Sequence, residues 1–254
     1  MTPIPEHPRT RRAALLVGAS ALLGACSAGD ADDDRAAAPT TRAGGPPRPS
    51  PSATERRPAE IPGLGPATRR TVGAGTRQVL VVTGDAENSN HARAVLYRRD
   101  PARGWRPESP VWPARNGHRG WTGHHVQGDL RTPIGTFTLT DAGGRLPDPG
   151  TELPYHRDPI YRVGGLNFED EPKAGAFDHV VAIDYNRVPG RTPSDWTRPL
   201  GASRGGGIWV HIGHGGGTEG CVALSRPAMK TLLRALRPAD APLIVMGPAG
   251  YLAR

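Results

Sequence analysis

The chain has 254 residues, of which 36% are hydrophobic and 5% aromatic, and it contains 34 glycines and 28 prolines. Its formal net charge of +8 suits a polyanionic neighbour such as a cell wall or lipid headgroups. The arginines are scattered, with neither a basic helix nor a basic stripe interleaved with aromatics, so the sequence argues against nucleic acid as a partner.

The first 26 residues have the pattern of an export signal. Three arginines precede an apolar stretch at 13–25 that is too short to span a bilayer as a mature helix. The stretch ends in LGAC, which resembles a bacterial lipobox with Cys26 as the lipidated residue, and TRRAALL resembles a twin-arginine signal. We therefore expect an exported lipoprotein that faces the cell wall and is anchored through Cys26 to the outer face of the cytoplasmic membrane.

Residues 27–71 form a segment of Ala, Pro, Asp, Arg, Ser and Thr with almost no large apolar side chains. Such a segment cannot offset its ordering entropy by burial, so we predict a disordered, proline-stiffened tether. Apolar periodicity begins at RQVLVVTG. The sequence therefore predicts one folded domain over residues 72–254.

Strand signals dominate the predicted domain. Short apolar segments bounded by turn residues occupy 78–84, 92–100, 134–140, 179–185, 207–212 and 242–247. One helix is predicted to follow Ser225, a suitable N-cap, because apolar residues repeat at helical spacing from Met229 to Leu236. These signals predict a mostly β fold, a sandwich or barrel, with a short helix packed on the sheet.

Cys221 lies in the glycine-rich stretch GGGTEGC rather than among apolar neighbours. An unused free thiol is a liability in an exported protein. His211, which ends the apolar segment IWVH, can take the thiol proton, and the N–H groups of Gly220 and Cys221 can receive an oxyanion. Because Cys221 lies shortly before the predicted helix, we also expect the helix dipole to stabilise its thiolate. The pattern predicts nucleophilic acyl transfer.

Two other interpretations of the same residues stay open. His211, His214, Cys221 and Glu219 could form a zinc site, although the spacing H-x2-H-x6-C matches no established zinc motif. Alternatively, Cys221 is a buried inert thiol and both histidines lie at the surface.

The stretch from His211 to Cys221 resembles the L,D-transpeptidase catalytic domain, or YkuD-like, family, in which a histidine precedes a loop ending in Ser/Thr-x-Gly-Cys. The segment VQGDLRTPIGTFTL at 126–139 is similar to the family's G-D-x-x-T-P-x-G-x-F motif, and VVAIDYNR at 180–187 is similar to a strand found in one branch. The resemblance implies a YkuD-like β-sandwich in which Cys221 is the nucleophile, with no metal and no cofactor. The chain departs from the pattern at Glu219, where many relatives have histidine.

The resemblance also implies a bacterial enzyme of peptidoglycan biosynthesis, with a role in cell-wall organisation and cell shape. Its cysteine would attack a stem peptide after the third residue, release the terminal D-alanine, and pass the acyl group from a thioester to an amine of a neighbouring stem, giving a 3→3 cross-link. Two alternatives stay open: an L,D-carboxypeptidase or amidase that uses water as acceptor, and a non-catalytic cell-wall-binding module.

Several residues are candidates for contacts with the stem peptide: His214, Thr218, Glu219, Asn186 and Arg204. His214 is also the alternative to His211 as the catalytic base. Asp129 and Thr132 are expected to shape a turn before a strand. The adjacent His124 and His125 are expected at the surface.

Overall fold

The computed structural model describes residues 59–254. The predicted export signal, the lipidation site Cys26 and most of the predicted tether lie outside these residues. The described residues belong to a unit that extends from Thr54 to Arg254. None of the helices in this described part is long and apolar enough to cross a membrane.

The folded domain begins earlier than residue 72, the boundary that the sequence predicts. Ile61 and Leu64 are buried in a small apolar cluster with Val79 and Val245. The helix that follows, α1 (Pro66–Arg70), begins with a proline, and its first N–H groups donate to the carbonyl of Arg254. Residues 59–71 are therefore part of the domain, because two well-placed apolar side chains anchor a segment of otherwise tether-like composition.

A mostly β fold, as predicted, occupies the rest of the domain. The described strands, β1 to β13, are Gln78–Gly84, His91–Asp100, Gly104–Pro107, Trp112–Arg115, Trp121–Thr122, Thr132–Pro133, Gly135–Thr138, Ala142–Gly144, Tyr155–Arg157, Val180–Ala182, Trp209–Ile212, Val222–Leu224 and Leu243–Pro248. Most of them form a single curled sheet in the order β7-β13-β1-β2-β4-β12-β11-β10-β8-β9, with β3 paired to β2. Strands β5 and β6 form a separate parallel pair.

The long strands and several short ones match the predicted segments. Strand β1 has the predicted bounds and pairs with β2 as the expected antiparallel hairpin, while its other edge pairs in parallel with β13. Strands β7, β10 and β11 are short but lie within the predicted segments 134–140, 179–185 and 207–212. Strands β5, β8 and β12 have no counterpart among the predicted segments, because two or three residues are too few to show an alternation of apolar and polar side chains.

Helix α2 (Arg226–Ala235) confirms the predicted helix. The Ser225 hydroxyl accepts a hydrogen bond from the N–H of Ala228, and the apolar face that includes Leu232 and Leu233 is fully buried. Short 3-10 turns at Pro159–Tyr161, Ala202–Arg204 and Pro238–Asp240 and a final helix, α3 (Ala249–Leu252), complete the described elements. Because α2 packs on β11, it supports that strand from behind.

Strands β11 and β12 are parallel neighbours, with Val210 opposite Val222 and His211 opposite Ala223. Parallel neighbours usually need a crossover of a dozen residues or more, whereas residues 213–221 alone connect these two. The connection turns sharply at Gly215 (φ +99°) and Gly220 (φ +141°), conformations that favour glycine. Glycine is therefore required by the shortness of this crossover, and the crossover ends at the thiol.

Candidate active site

The sheet register brings Cys221 and His211 to the same face. His211 lies opposite Ala223, and Cys221 precedes Ala223 by two residues, so all three side chains point to one side of the pleat. Cys221 is a half-buried free thiol, and it lines with His211 an open cleft of about 720 Å³. Cys221 is therefore not sealed in the core, as the interpretation of a buried thiol would require.

The buried ring of His211 is held in one tautomer. Its Nδ1 lies 2.9 Å from the carbonyl oxygen of Ile212, and since a carbonyl only accepts, Nδ1 carries the proton. The ring is fixed further by edge contacts with Phe177, whose centroid is 5.2 Å away. Burial lowers the pKa of His211 to about 4, with the nearby His214 adding to the effect. At neutral pH, Nε2 therefore holds a free lone pair.

The Cys221 thiol is also neutral at rest. The N–H of Trp209 donates to its Sγ (3.4 Å), and the thiol itself donates to the carbonyl of Gly207 at 3.6 Å. Burial raises the pKa of Cys221 to about 12, and the charge of Glu219 raises it as well. The helix dipole does not stabilise the thiolate as expected. Strand β12 separates the thiol from α2, and the dipole acts only within about one turn of the helix end.

His214 has the opposite tautomer, which separates its role from that of His211. The Asn167 side-chain oxygen accepts the N–H groups of Glu169 and Glu171, so its NH2 group must face the other way. That NH2 donates to the His214 carbonyl (2.7 Å) and to His214 Nδ1 (3.2 Å). The lone pair of His214 is therefore already in use. Its ring stacks on His211 at 5.8 Å. Of these two stacked histidines, His211 is the one with a free basic nitrogen.

Two threonines fix the backbone at Cys221. The Thr218 hydroxyl donates to the carbonyl of Cys221 (2.7 Å) and accepts the N–H of Gly220 (3.2 Å), and Thr132 reaches the same carbonyl at 3.4 Å. This corrects the expectation that Gly220 offers a free N–H to an oxyanion, because Thr218 takes it. The oxyanion role of the Cys221 N–H stays a prediction.

The other candidate residues have different positions. Glu219 lines the cleft, but its side chain is 73% exposed and pairs with Lys173 at 3.6 Å. Asn186 is buried and holds the 200–205 loop by bonds to Leu200 N–H and to the carbonyls of Gly201 and Gly205. Arg204 contacts His124. Neither Asn186 nor Arg204 lines the cleft, so the structure gives them positioning roles in this loop.

Sequence reasoning missed His125 as a cleft residue. The side chain is 4% exposed rather than at the surface, lines the cleft, and has its Nδ1 3.0 Å from the Asp129 carboxylate. Asp129 does shape the predicted turn, since it accepts the N–H groups of Val126 and Arg131. The turn motif at Asp129 gives no sign that the preceding histidine faces inward, because that orientation depends on contacts with the distant 200–205 loop.

The cleft rim is apolar and cationic. Ile160, Leu166, Phe168 and Trp196 are large apolar side chains that are more than 40% exposed there. Three cationic side chains line the cleft against one carboxylate, that of Glu219: they are Arg162, Lys173 and Arg198. Such a surface suits an extended peptide that carries negative charge.

The alternative of a zinc site requires several ligands that converge. Among residues 59–254, no group of three or more His, Cys, Asp or Glu side chains is arranged to hold a metal. Glu219 turns towards Lys173, and the Nδ1 of His211 is committed to a backbone carbonyl.

A protein family and a solved structure are similar to this chain. Residues 85–245 match the family described as YkuD, L,D-transpeptidase catalytic domain. No curated protein matches the chain. The crystal structure of the helical cell shape determining protein Pgp2 from Campylobacter jejuni is similar to it, with 15% sequence identity and a TM-score of 0.39, over 70% of this chain and 52% of that one. The chain thus spans about half the length of that protein.

We predict that alkylation of Cys221 is slow at neutral pH and accelerates about tenfold per pH unit between pH 6 and 9, because only the thiolate reacts and the pKa of the thiol is about 12. Iodoacetamide labelling, followed on the Cys221 peptide by mass spectrometry, measures the rate. The denatured protein is the control: its labelling rate should level off as the pH rises past the ordinary thiol pKa of about 8.5. A plateau for the folded protein between pH 6 and 8 would show a thiolate–imidazolium pair instead.

We predict that Thr218→Val lowers the free energy of unfolding by about 1–3 kcal/mol, since it leaves the buried Gly220 N–H and Cys221 carbonyl without the hydroxyl. Urea titration provides the measurement. Thr218→Ser keeps the hydroxyl and is the matched control, so its free energy of unfolding should fall much less. Equal stability of Thr218→Val and the wild type would contradict the proposed support of the nucleophile loop.

Proposed function

Because the match covers residues 85–245, the chain belongs to the L,D-transpeptidase catalytic-domain (YkuD) family, and we propose that it is a cysteine acyltransferase acting on peptidoglycan stem peptides. The observation that carries the proposal is that one open cleft contains both a half-buried thiol and an imidazole whose Nε2 is unprotonated. Cysteine and a positioned base are sufficient for covalent acyl transfer.

In the proposed acylation step, the Cys221 thiol gives its proton to Nε2 of His211 as Sγ attacks the carbonyl carbon of the third residue of the stem. The carbonyl electrons move to oxygen and return as the C–N bond breaks. The imidazolium of His211 then gives its proton to the leaving nitrogen, so D-alanine departs as a neutral amine. A thioester on Cys221 and a neutral imidazole remain.

In the proposed transfer step, an amine of a neighbouring stem attacks the thioester carbonyl and loses a proton to His211. The C–S bond breaks, the sulfur recovers that proton, and the new amide is the 3→3 cross-link. The same intermediate gives a free tripeptide if water attacks instead. The exposed apolar side chains at the rim of the cleft favour transfer, because they offer a peptide acceptor an apolar surface to bind.

We predict that the wild-type protein, given a stem tetrapeptide and a second amine, releases D-alanine and forms the tripeptide–amine product through an adduct on Cys221. Intact-protein and product mass spectrometry follow each species. Cys221→Ala should abolish all products, and His211→Gln should reduce turnover roughly 10²–10⁴-fold. His214→Gln, which removes the neighbouring imidazole, is the matched control and should cost much less.

Each alternative has its own signature in the same experiment. Free tripeptide with no amine product would identify a carboxypeptidase. Peptide binding without any adduct on Cys221 would contradict an enzyme and indicate a cell-wall-binding module. Equal losses in His214→Gln and His211→Gln would contradict the assignment of His211 as the base.

We also propose that the protein acts outside the cytoplasmic membrane as a lipoprotein, which rests on the sequence of residues 1–26. We predict that Cys26→Ser, which cannot accept the lipid, moves the protein from the membrane fraction to the soluble fraction. Fractionation and immunoblotting measure the shift, and Ser27→Ala is the control. Retention of Cys26→Ser in the membrane fraction would contradict lipid anchoring at this residue.

A further inference from the structure

We propose that Arg198 is the residue that binds a carboxylate of the substrate in this cleft, an inference that rests on the proposed function and specifies which peptides it accepts. Arg198 lines the same cleft as Cys221 and is half-buried. Nothing in the motifs pointed to it, because it lies in the irregular segment that precedes β11.

The guanidinium group of Arg198 is held beside the nucleophile by the backbone. Its Nη1 donates to the carbonyls of Asp195 (2.9 Å) and Thr197 (3.1 Å). Its side chain lies directly on Gly206, where a Cβ would collide with Nε, and Nη2 lies 3.6 Å from the Cβ position of Gly207. Gly207 is the residue whose carbonyl accepts the Cys221 thiol. Arg198 therefore borders the backbone that positions the sulfur.

Among the described residues, no carboxylate lies within 4.0 Å of Arg198. The neighbouring Asp195 carboxylate favours the charge of Arg198 from a longer distance, but its close contacts are with Thr197 N–H (2.8 Å) and Arg191 (3.6 Å). Burial lowers the pKa of Arg198, and this effect exceeds the opposing effect of Asp195, yet a guanidinium stays protonated at neutral pH. Desolvation of a cation is costly where no close ion pair compensates for it, and an anionic ligand would reduce that cost.

Trp196 fixes the plane of this cation. The Arg198 guanidinium carbon lies 5.1 Å from the centroid of the indole ring, and Trp196 is 78% exposed at the rim of the cleft. Stacking on an aromatic ring uses the face of a guanidinium and leaves its edge N–H groups to bind a carboxylate in a bidentate manner. Nε and Nη2 make no hydrogen bond to any described residue, so these donors remain for a ligand.

The other cations of the cleft fit this role less well. Lys173 is paired with Glu219, and Arg162 is exposed with no recorded anchor among the described residues. A stem peptide offers two sources of the anion, the terminal carboxylate of the leaving D-alanine and a side-chain carboxylate on the third residue. The shared chemistry is a carboxylate close to the scissile bond.

The test compares kcat/KM for an acidic tetrapeptide with that for two matched amides, one at the C-terminus and one at the side chain of the third residue. With the wild-type protein, we expect kcat/KM for one of the amides to be about 10–150-fold lower than for the acidic peptide. This is the factor that corresponds to the loss of one charge-assisted hydrogen bond. For Arg198→Gln, kcat/KM for the acidic peptide should fall by a similar factor, and the variant should no longer prefer the acidic peptide over that amide. The amide that loses activity identifies which carboxylate is bound.

Three controls keep the outcomes separate. Arg162→Gln makes the same charge change in the cleft and should keep the preference for the acid. Iodoacetamide labelling of Cys221 should be unchanged in Arg198→Gln, which would exclude a distorted site. Compared with Arg198→Gln, Arg198→Lys should recover part of kcat/KM for the acidic peptide but less of the preference for acid over amide, because a lysine cannot bind a carboxylate in a bidentate manner. An unchanged preference in Arg198→Gln, or an equal loss in Arg162→Gln, would overturn the inference.

Binding separates this inference from the proposed function. Calorimetry with the full chain carrying Cys221→Ser measures the affinity for the acidic and amidated peptides without turnover. If the wild type turns over no peptide but Arg198→Gln still removes the preference in binding, the proposed function fails and the inference stands. If turnover occurs and neither rate nor affinity depends on Arg198, the inference alone fails.

Discussion

The parallel pairing of β11 with β12 is the constraint on which the candidate site depends. It sets His211 opposite Ala223 and so brings the base to the face that carries the thiol. A slip of one residue in this register would turn the imidazole to the opposite face of the sheet. Helix α2 packs behind β11, and Thr218 and Thr132 hold the carbonyl of Cys221. Packing on one side and hydrogen bonds on the other therefore fix the same register.

The thiol and the imidazole in the cleft are both neutral, and this limits the reactivity of the thiol. Burial raises the pKa of Cys221 to about 12 and lowers that of His211 to about 4, so charge separation between them is unfavourable in these surroundings. Oxidation of a cysteine follows its thiolate character and exposure. A half-buried thiol that its surroundings keep protonated is therefore protected from oxidation, and any reaction of it as a nucleophile requires proton transfer during the attack.

Sequence patterns predicted the parts of the molecule that local order determines. The β1–β2 hairpin and helix α2 have clear periodicity, and the order His211, Thr218, Gly220, Cys221 is a local motif. The inward fold of His125, the loss of the Gly220 N–H to Thr218, and the position of Arg198 depend on contacts between segments far apart in the chain. Residues 59–71 were assigned to the tether for a related reason, since composition alone does not show that two apolar residues meet the sheet.

The glycines near the cleft have a common physical cause. In the crossover between β11 and β12, outside the cleft, the carboxylates of Glu169 and Glu171 lie so close to Gly216 and Gly215 that a Cβ would collide with them. In the cleft, a Cβ on Gly206 would collide with the side chain of Arg198. In both places a charged side chain lies directly on the backbone, which is possible only where no Cβ intervenes. The two places differ in their hydrogen bonds, since Glu169 accepts the Gly217 N–H whereas Nε and Nη2 of Arg198 have no acceptor among the described residues.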